Sequence, residues 1–161
     1  MTQEEKQLLL KDLCARLPYG VKGRVYAETT KGDYDITGDM IFFDSPFDVI
    51  LDDVNTSTEE IHVIAIGNED TVDFIEDQQI NGALYTIDDF KSYLRPMSSM
   101  TEEEKKEYEK LTVMTSDGGY DWYMVPLLSA SDWLNAHHFD YRNLIDKDLA
   151  IEAPEGMYKT E

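Results

Sequence analysis

The sequence predicts one α+β domain with an N-terminal helix, a small antiparallel β-barrel or curled sheet of four to six strands, and C-terminal helices packed on it. The chain has 161 residues, a length that suits a single domain over 1–161. Leucines recur at helical spacing near the N-terminus, and apolar and polar residues then alternate. Because helical patterns return late in the chain, we expect a helix-plus-sheet part over 1–96 and a mainly helical part over 97–161.

The first helix is predicted over residues 2–17. Thr2 and Glu5 have the Thr-x-x-Glu spacing of a capping box, in which each side chain bonds the backbone N–H of the other residue. Pro18 and Gly20 are typical residues for ending a helix. The apolar stripe that should face the core consists of Leu9, Leu10, Leu13, Cys14 and Leu17.

Period-two patterns predict the strands that follow. Turn-forming residues separate the runs, as at Lys31-Gly32-Asp33, Ser45-Pro46 and Asn55-Thr56-Ser57. Gly23 and Gly38 fall inside strand patterns and fit sharp bends or bulges. The predicted strands cover residues 21–28, 34–43, 47–51, 61–66 and 83–87.

The last third of the chain is mainly helical in pattern. Thr101 and Glu104 form a second capping box at the start of a highly charged helix that Tyr108 should anchor. Pro126 indicates an edge strand over 120–128. The remaining predictions are a helix over 131–139, a short helix over 141–147 capped by Asp140, and a loose tail from Pro154.

The charge and the cysteine content narrow the functional classes. The net charge is −20, and residues 28–90 hold seventeen acidic side chains against the single basic residue Lys31. This stretch should repel both nucleic-acid phosphates and anionic membranes, so we expect neither as a direct partner. Cys14 is the only cysteine, which excludes an intramolecular disulfide and, with a polar N-terminus, favours the cytoplasm. Nothing near Cys14 supplies the cationic setting of a reactive thiol, so we expect it in the core.

The strongest metal candidate is an Asp-rich segment that partly matches the spacing of a calcium-binding loop. Asp33 and Asp35 would be the first ligands, Asp39 lies within the loop, and Asp44 would take the last position. The calcium loop of that pattern joins two helices, whereas both flanks here resemble strands. We therefore expect hairpin residues rather than a calcium site, and no metal or cofactor.

His137 and His138 form the only histidine pair. Adjacent helical residues point roughly 100° apart, so the two rings cannot converge on one ion without distortion. A zinc site also needs three or four converging ligands. An alternative is a small hydrolase or transferase that uses His137 or His138 as its base.

Seven residues are candidates for binding a partner. The acidic members occur as neighbours along the chain, which does not make an acid/base pair because neighbouring strand residues point to opposite faces. Nucleophile-elbow, P-loop, dinucleotide-binding and zinc-protease motifs are absent from the sequence. The candidates are Asp48, Asp52, Asp53, Asp88, Asp89, Trp122 and Tyr123.

Three blocks, Leu8–Lys22, Tyr93–Glu104 and Asp132–Tyr158, resemble a family of small uncharacterised proteins from gut Bacteroidales and their phages or mobile elements. The blocks read LLLKDLCARLPYGVK, YLRPMSSMTEEE and DWLNAHHFDYRNLIDKDLAIEAPEGMY, and they cover about a third of the chain. The resemblance implies a bacterial or phage cytoplasmic setting. It implies no activity, cofactor or catalytic residue, and it leaves residues 23–90 unmatched.

Two functional hypotheses besides the hydrolase follow from the uneven charge. The leading one is a non-enzymatic cytoplasmic interaction protein whose acidic sheet region meets a partner with a basic surface. The alternative is a phage-type nucleic-acid mimic that presents carboxylates like phosphates to a DNA-binding protein. Phosphate-like spacing of roughly 7 Å would need carboxylates at alternate strand positions. Asp48 and Asp52 lie on one strand face, but Ile50 stands between them, so the match is poor.

Overall fold

The computed structural model describes residues 1–26, 32–34, 40–42, 46–65, 83–112 and 124–158 and shows an α+β fold. The described helices are α1 (Gln3–Arg16), α2 (Glu102–Thr112) and α3 (Met124–Ala136). The described strands are β1 (Lys22–Val25), β2 (Gly32–Tyr34), β3 (Met40–Phe42), β4 (Phe47–Asn55), β5 (Glu60–Ala65), β6 (Ala83–Thr86), β7 (Phe90–Leu94) and β8 (Ala150–Glu152).

Six of these strands form one mixed sheet in the order β6-β5-β4-β1-β7-β8. Every neighbouring pair is antiparallel except β7 and β8, which run parallel. The sheet is not closed into a barrel, so the curled-sheet form of the expected fold is confirmed and the barrel is not. β2 and β3 pair separately, with Gly32 opposite Phe42 and Tyr34 opposite Met40.

The core lies between α1 and one face of the sheet. Leu9, Leu13 and Val25 are fully buried in it, and alternate residues of β4, β5 and β7 point to the same side. Gly23 occupies this face because a Cβ there would lie 2.3 Å from the Phe90 ring. The register of Gly23 with Val49 and Ser92 is unbroken, so close approach of an aromatic ring rather than a bulge explains the glycine. The described β-bulge lies instead between Leu51 and Asp53.

The first helix begins as expected but buries a different set of residues. The Thr2–Glu5 capping box is present, and Gly20 takes a left-handed conformation after a single 3₁₀ turn. Cys14 is exposed, so its assignment to the core is wrong. Asp12 and Arg16 are fully buried instead and pair at 2.8 Å. The apolar stripe is therefore narrower than expected, because an ion pair occupies the helix face beside it.

The strands predicted over 21–28, 47–51, 61–66 and 83–87 correspond to β1, β4, β5 and β6, although their bounds differ. Gly32 and Asp33, expected in a turn, belong to β2, and the single strand predicted over 34–43 is replaced by the antiparallel pair β2 and β3. β4 extends four residues beyond its predicted end, and the turn at Asn55 is confirmed because its side chain accepts bonds from the backbone N–H groups of Ser57 and Thr58. Gly38 lies outside the described residues.

The C-terminal region differs most from expectation. The capping box of α2 is confirmed, with Glu104 also paired to Arg95. Met124 begins a helix rather than continuing a strand, and Pro126 falls in its first turn, where backbone N–H groups need no intrahelical acceptor. Tyr108 of α2 contacts Trp133 of α3 with ring centroids 5.7 Å apart, which joins the two helices.

The chain after α3 returns to the sheet. Residues 141–149 form turns rather than the predicted short helix, although the Asp140 carboxylate does accept the backbone N–H groups of Leu144 and Ile145. β8 was not predicted. The tail, expected to be loose from Pro154, is attached to the sheet through Tyr158. The Tyr158 hydroxyl accepts a hydrogen bond from the backbone N–H of Lys22 and donates one to the carbonyl of Tyr93.

Candidate functional site

The sheet has a second face, opposite α1, which we call the open face. Strand alternation places there the residues between the buried ones, among them Lys22 and Arg24 of β1, Asp48 and Ile50 of β4, and Lys91 and Tyr93 of β7. Several of these side chains are large and solvent-accessible. The open face is therefore the surface on which we place the candidate site.

An apolar row crosses one half of the open face. Ile50 on β4 and Ile64 on β5 are direct cross-strand partners and are 38% and 37% exposed. Leu84, on the next strand, is paired in register with His62 and is 58% exposed. Ile50 and Ile64 are direct cross-strand neighbours, about 5 Å apart. Leu84 is diagonal to Ile64, roughly 7–8 Å away and within reach of a long side chain, so the three residues form one patch.

Carboxylates border the apolar row. The β-bulge places the consecutive residues Asp52 and Asp53 opposite His62, and the Asp52 carboxylate lies 2.8 Å from His62 Nδ1. Asp53 is the next residue and is also exposed, at the end of the sheet where its charge reaches Cys14 of α1. Glu60 lies two residues before His62 on β5. Strand alternation, which would point Asp52 and Asp53 to opposite faces, is interrupted here because two residues oppose one at a bulge.

The other half of the open face is organised by Arg24, Asp48 and Tyr93. Arg24 Nε and the Tyr93 hydroxyl both donate to Asp48 Oδ1, at 2.7 and 2.9 Å. The bond from Arg24 holds the pKa of Asp48 below its usual range and raises that of Arg24. Burial, followed by the bond to Asp48, raises the pKa of Tyr93 to about 12. At neutral pH the triad is an ion pair with a neutral phenol.

The remaining predicted carboxylates lie elsewhere. Asp88 pairs with Lys6 of α1 and lies 3.8 Å from the N-terminal amine, and Asp89 accepts a bond from the Thr86 hydroxyl. Asp48 is on the opposite side of the sheet from α1. The structure therefore brings Asp52 and Asp53 together, keeps Asp48 beside Arg24, and separates Asp88 from all three. Trp122 and Tyr123 lie outside the described residues.

The calcium candidates are only partly described. Asp33 lies in β2, whereas Asp35, Asp39 and Asp44 fall outside the described ranges. Within those ranges, no group of three or more histidine, cysteine, aspartate or glutamate side chains could hold a metal ion.

The histidine pair is built into the structure around α3. His137 stacks on Trp133 at 4.0 Å, and its Nδ1 lies 2.8 Å from the Trp133 carbonyl. His138 is 4% exposed, takes a positive φ of 57°, and stacks on Tyr158 at 3.7 Å. Burial, then the charge of Arg16, lowers the pKa of His138 to about 4. A base this weak, packed against a tyrosine ring, is poorly suited to proton abstraction at neutral pH.

Sequence reasoning missed the exposed isoleucines and the basic side chains of the open face. The available signal was the alternation of residues along β4 and β5. It places Ile50 on the same face as Asp48 and Ile64 on the same face as His62. That they are partners in register could not be read from the chain, since the pairing of β4 with β5 is a tertiary property.

Comparison of the chain with protein-family models, curated proteins and solved structures finds no match. The resemblance to the Bacteroidales family therefore stays a prediction. Among the described helices, none combines the length and apolar character needed to cross a membrane.

Proposed function

We propose that this protein is a non-enzymatic interaction module of the cytoplasm that binds a partner protein through the apolar row and its acidic border. The partner would present an apolar side chain surrounded by lysine or arginine residues. The observation that carries the proposal is the direct pairing of Ile50 with Ile64, each more than a third exposed, in a chain whose net charge is −20.

The apolar row supports the proposal because clustered aliphatic side chains on a surface lose their contact with water when a partner covers them. Burial of an exposed aliphatic side chain contributes roughly 1.5–3 kcal/mol. A highly charged protein gains nothing in solubility from placing Ile50 beside Ile64 with Leu84 diagonal to them. Such a patch is typical of a protein-binding surface.

The acidic border supports a basic rather than an acidic partner. Asp52 and Asp53 are exposed next to the row, and the partner of Asp52 among the described residues is His62 rather than a lysine or arginine. Complementary charge at the rim of an apolar contact mainly accelerates association and excludes wrong partners. The whole-chain charge of −20 acts in the same direction at longer range.

The two rival functions have less support. Asp48 and Asp88, two of the carboxylates that a nucleic-acid mimic would display, are each paired to a cationic side chain. A hydrolase or transferase built on His138 would need a base of higher pKa than about 4. His137 is held by the Trp133 carbonyl and by ring stacking.

The proposal is tested by comparing variants of the immobilised protein as baits for the same lysate. Ile50→Ser/Ile64→Ser removes the apolar row, and Met97→Ser is the matched control because Met97 is 36% exposed outside it. We expect a partner that the wild type and Met97→Ser retain and that the double variant loses. Purified partner and calorimetry then give the affinities.

The acidic border is tested with the same partner. Asp52→Asn/Asp53→Asn should weaken binding and reduce its dependence on salt, whereas Glu103→Gln/Glu107→Gln on α2 removes the same charge elsewhere and should do neither. Equal binding by all four variants, or the absence of any partner sensitive to Ile50 and Ile64, would refute the proposed function.

A further inference from the structure

The half of the open face beyond the apolar row carries three cations in a strongly acidic protein. Lys22 and Arg24 are alternate residues of β1, and Lys91 of β7 is the cross-strand partner of Arg24. Alternate strand residues are roughly 7 Å apart and cross-strand partners about 5 Å apart. We call these three residues the cation cluster. They are three of only 14 basic residues, in a chain with 34 acidic ones.

The arrangement is unfavourable for the sheet itself. Like charges directly opposite each other on neighbouring strands are destabilising, and Arg24 faces Lys91 in this way. Two carboxylates offset these positive charges, but they are not held equally well. Asp48 is well ordered by two hydrogen bonds, whereas Asp148, which pairs with Lys91 at 2.5 Å, has a side chain that is 89% exposed. An ion pair so exposed contributes little.

Asp48 also orients Arg24 for a ligand. It accepts from Nε, and neither Nη atom of Arg24 has a hydrogen-bond partner among the described residues. The side chain of Arg24 is 37% exposed. A guanidinium held through Nε presents its two Nη groups as a planar pair of donors, which matches the two oxygens of a carboxylate.

Each of the three cations also lies over the face of a tyrosine ring. Arg24 lies over Tyr93 at 5.7 Å, Lys22 over Tyr158 at 5.8 Å, and Lys91 over Tyr26 at 5.9 Å, measured to the ring centroids. Cation–π contacts of this kind hold long side chains in place without neutralising them. The cluster is therefore ordered, and its three cations outnumber Asp48 and Asp148, the two carboxylates described as paired with them.

We infer that the cation cluster binds a carboxylate group of an acidic peptide segment, with Arg24 as the bidentate contact and Lys22 and Lys91 beside it. The inference rests on the proposed function in that the segment belongs to the partner that covers the apolar row. That partner would carry basic side chains against Asp52 and Asp53 and an acidic one against Arg24. A nucleic-acid strand is disfavoured because its phosphates continue along the backbone beyond the cluster into the field of a chain with net charge −20, whereas a single carboxylate group contacts only the three cations.

The test is an NMR titration of the full chain with triglutamate, observing the Arg24 side-chain Nε–H and the backbone amides of β1 and β7. We expect saturable shifts confined to these strands. Arg24→Lys should weaken binding about tenfold because the planar donor pair is lost. Lys91→Gln should weaken it about threefold. Lys106→Gln on α2, with the same change in charge, should leave it unchanged.

Three results would overturn the inference. They are the absence of saturable shifts on β1 and β7, equal affinity in wild type and Arg24→Lys, and tighter binding of inorganic phosphate than of triglutamate. Circular dichroism and urea unfolding of each variant confirm that it is folded before it is compared. Failure here leaves the Ile50 and Asp52 experiments unaffected, so the two proposals are judged separately.

Discussion

The carboxylate of Asp12 and the guanidinium of Arg16 form an ion pair at 2.8 Å in which neither side chain is exposed. Arg142, from the segment after α3, approaches the same carboxylate at 3.0 Å, and Arg16 also donates to the Phe139 carbonyl at 2.7 Å. One aspartate thus joins α1 to the C-terminal part of the chain, and two cations depend on it.

Loss of Asp12 should be far more damaging than loss of Arg142. Asp12→Asn leaves Arg16 buried without its counter-charge, a change that costs about 3–5 kcal/mol. Arg142→Gln leaves the Asp12–Arg16 pair intact and should cost about 1 kcal/mol or less. Urea unfolding measures both free energies. Equal losses of free energy in Asp12→Asn and Arg142→Gln would contradict the role of Asp12 as the counter-charge of buried Arg16. Asp12→Leu/Arg16→Met replaces both charges and should recover part of the stability lost in Asp12→Asn.

Gly23→Ala should destabilise the protein by about 1–3 kcal/mol, the usual range for overpacking a core. A Cβ at this position would lie 2.3 Å from the Phe90 ring and 2.7 Å from the carbonyl oxygen of Lys91. Phe90→Leu in the alanine background should relieve the contact with the ring, so the double variant should lose less than the sum of the two single losses. Additive losses in thermal or urea unfolding would contradict the close-approach explanation.

His138 should make stability depend on pH. Its pKa falls from 6.5 to about 4 in the folded protein, so the unfolded chain takes up the proton first. The stability that neutral His138 contributes is complete above about pH 6.5 and is lost as the pH falls towards 4, by up to about 3 kcal/mol.

The contribution of His138 to the pH dependence of stability is obtained by comparing the wild type with His138→Phe. His138→Phe keeps a ring against Tyr158 but removes the titration, so its stability should fall less than that of the wild type between pH 6.5 and 4. Carboxylates with lowered pKa values, such as Asp48 and Glu104, act in both proteins and cancel. Parallel stability curves for His138→Phe and wild type would show that His138 is not the titrating group.

Cys14 should react with a thiol reagent in the native protein. It is exposed on α1, but partial burial and then the charge of Asp53 raise its pKa, so reaction should be slow at neutral pH and faster as the pH rises. Labelling with a chromogenic disulfide, with and without urea, measures this. Reaction of Cys14 only after unfolding in urea would contradict its exposed position on α1.

Local signals in the sequence were reliable where the interaction spans a few residues. Both capping boxes, at Thr2–Glu5 and Thr101–Glu104, were predicted from spacing alone because each closes within one helical turn. The buried pair of Asp12 and Arg16 was missed although its spacing of four residues was visible. Whether such a pair is buried depends on the segment packed over it, here the one containing Phe139.

The candidate site was predicted only in part. Asp48, Asp52 and Asp53 were chosen from the sequence and do lie on or beside the open face, whereas Asp88 lies with α1. The cation cluster could not be predicted, because Arg24 and Lys91 are far apart along the chain and meet only through the register of β1 with β7.

By itself the sequence determined the fold class, the acidic character, the position of α1 and the start of α2, because these follow from composition and from contacts within one or two turns. The tertiary structure decided which face of the sheet α1 covers, how β8 joins β7, and which charges stand opposite each other. Those outcomes depend on strand pairing and on packing between distant segments, and no local pattern encodes the choice of partner.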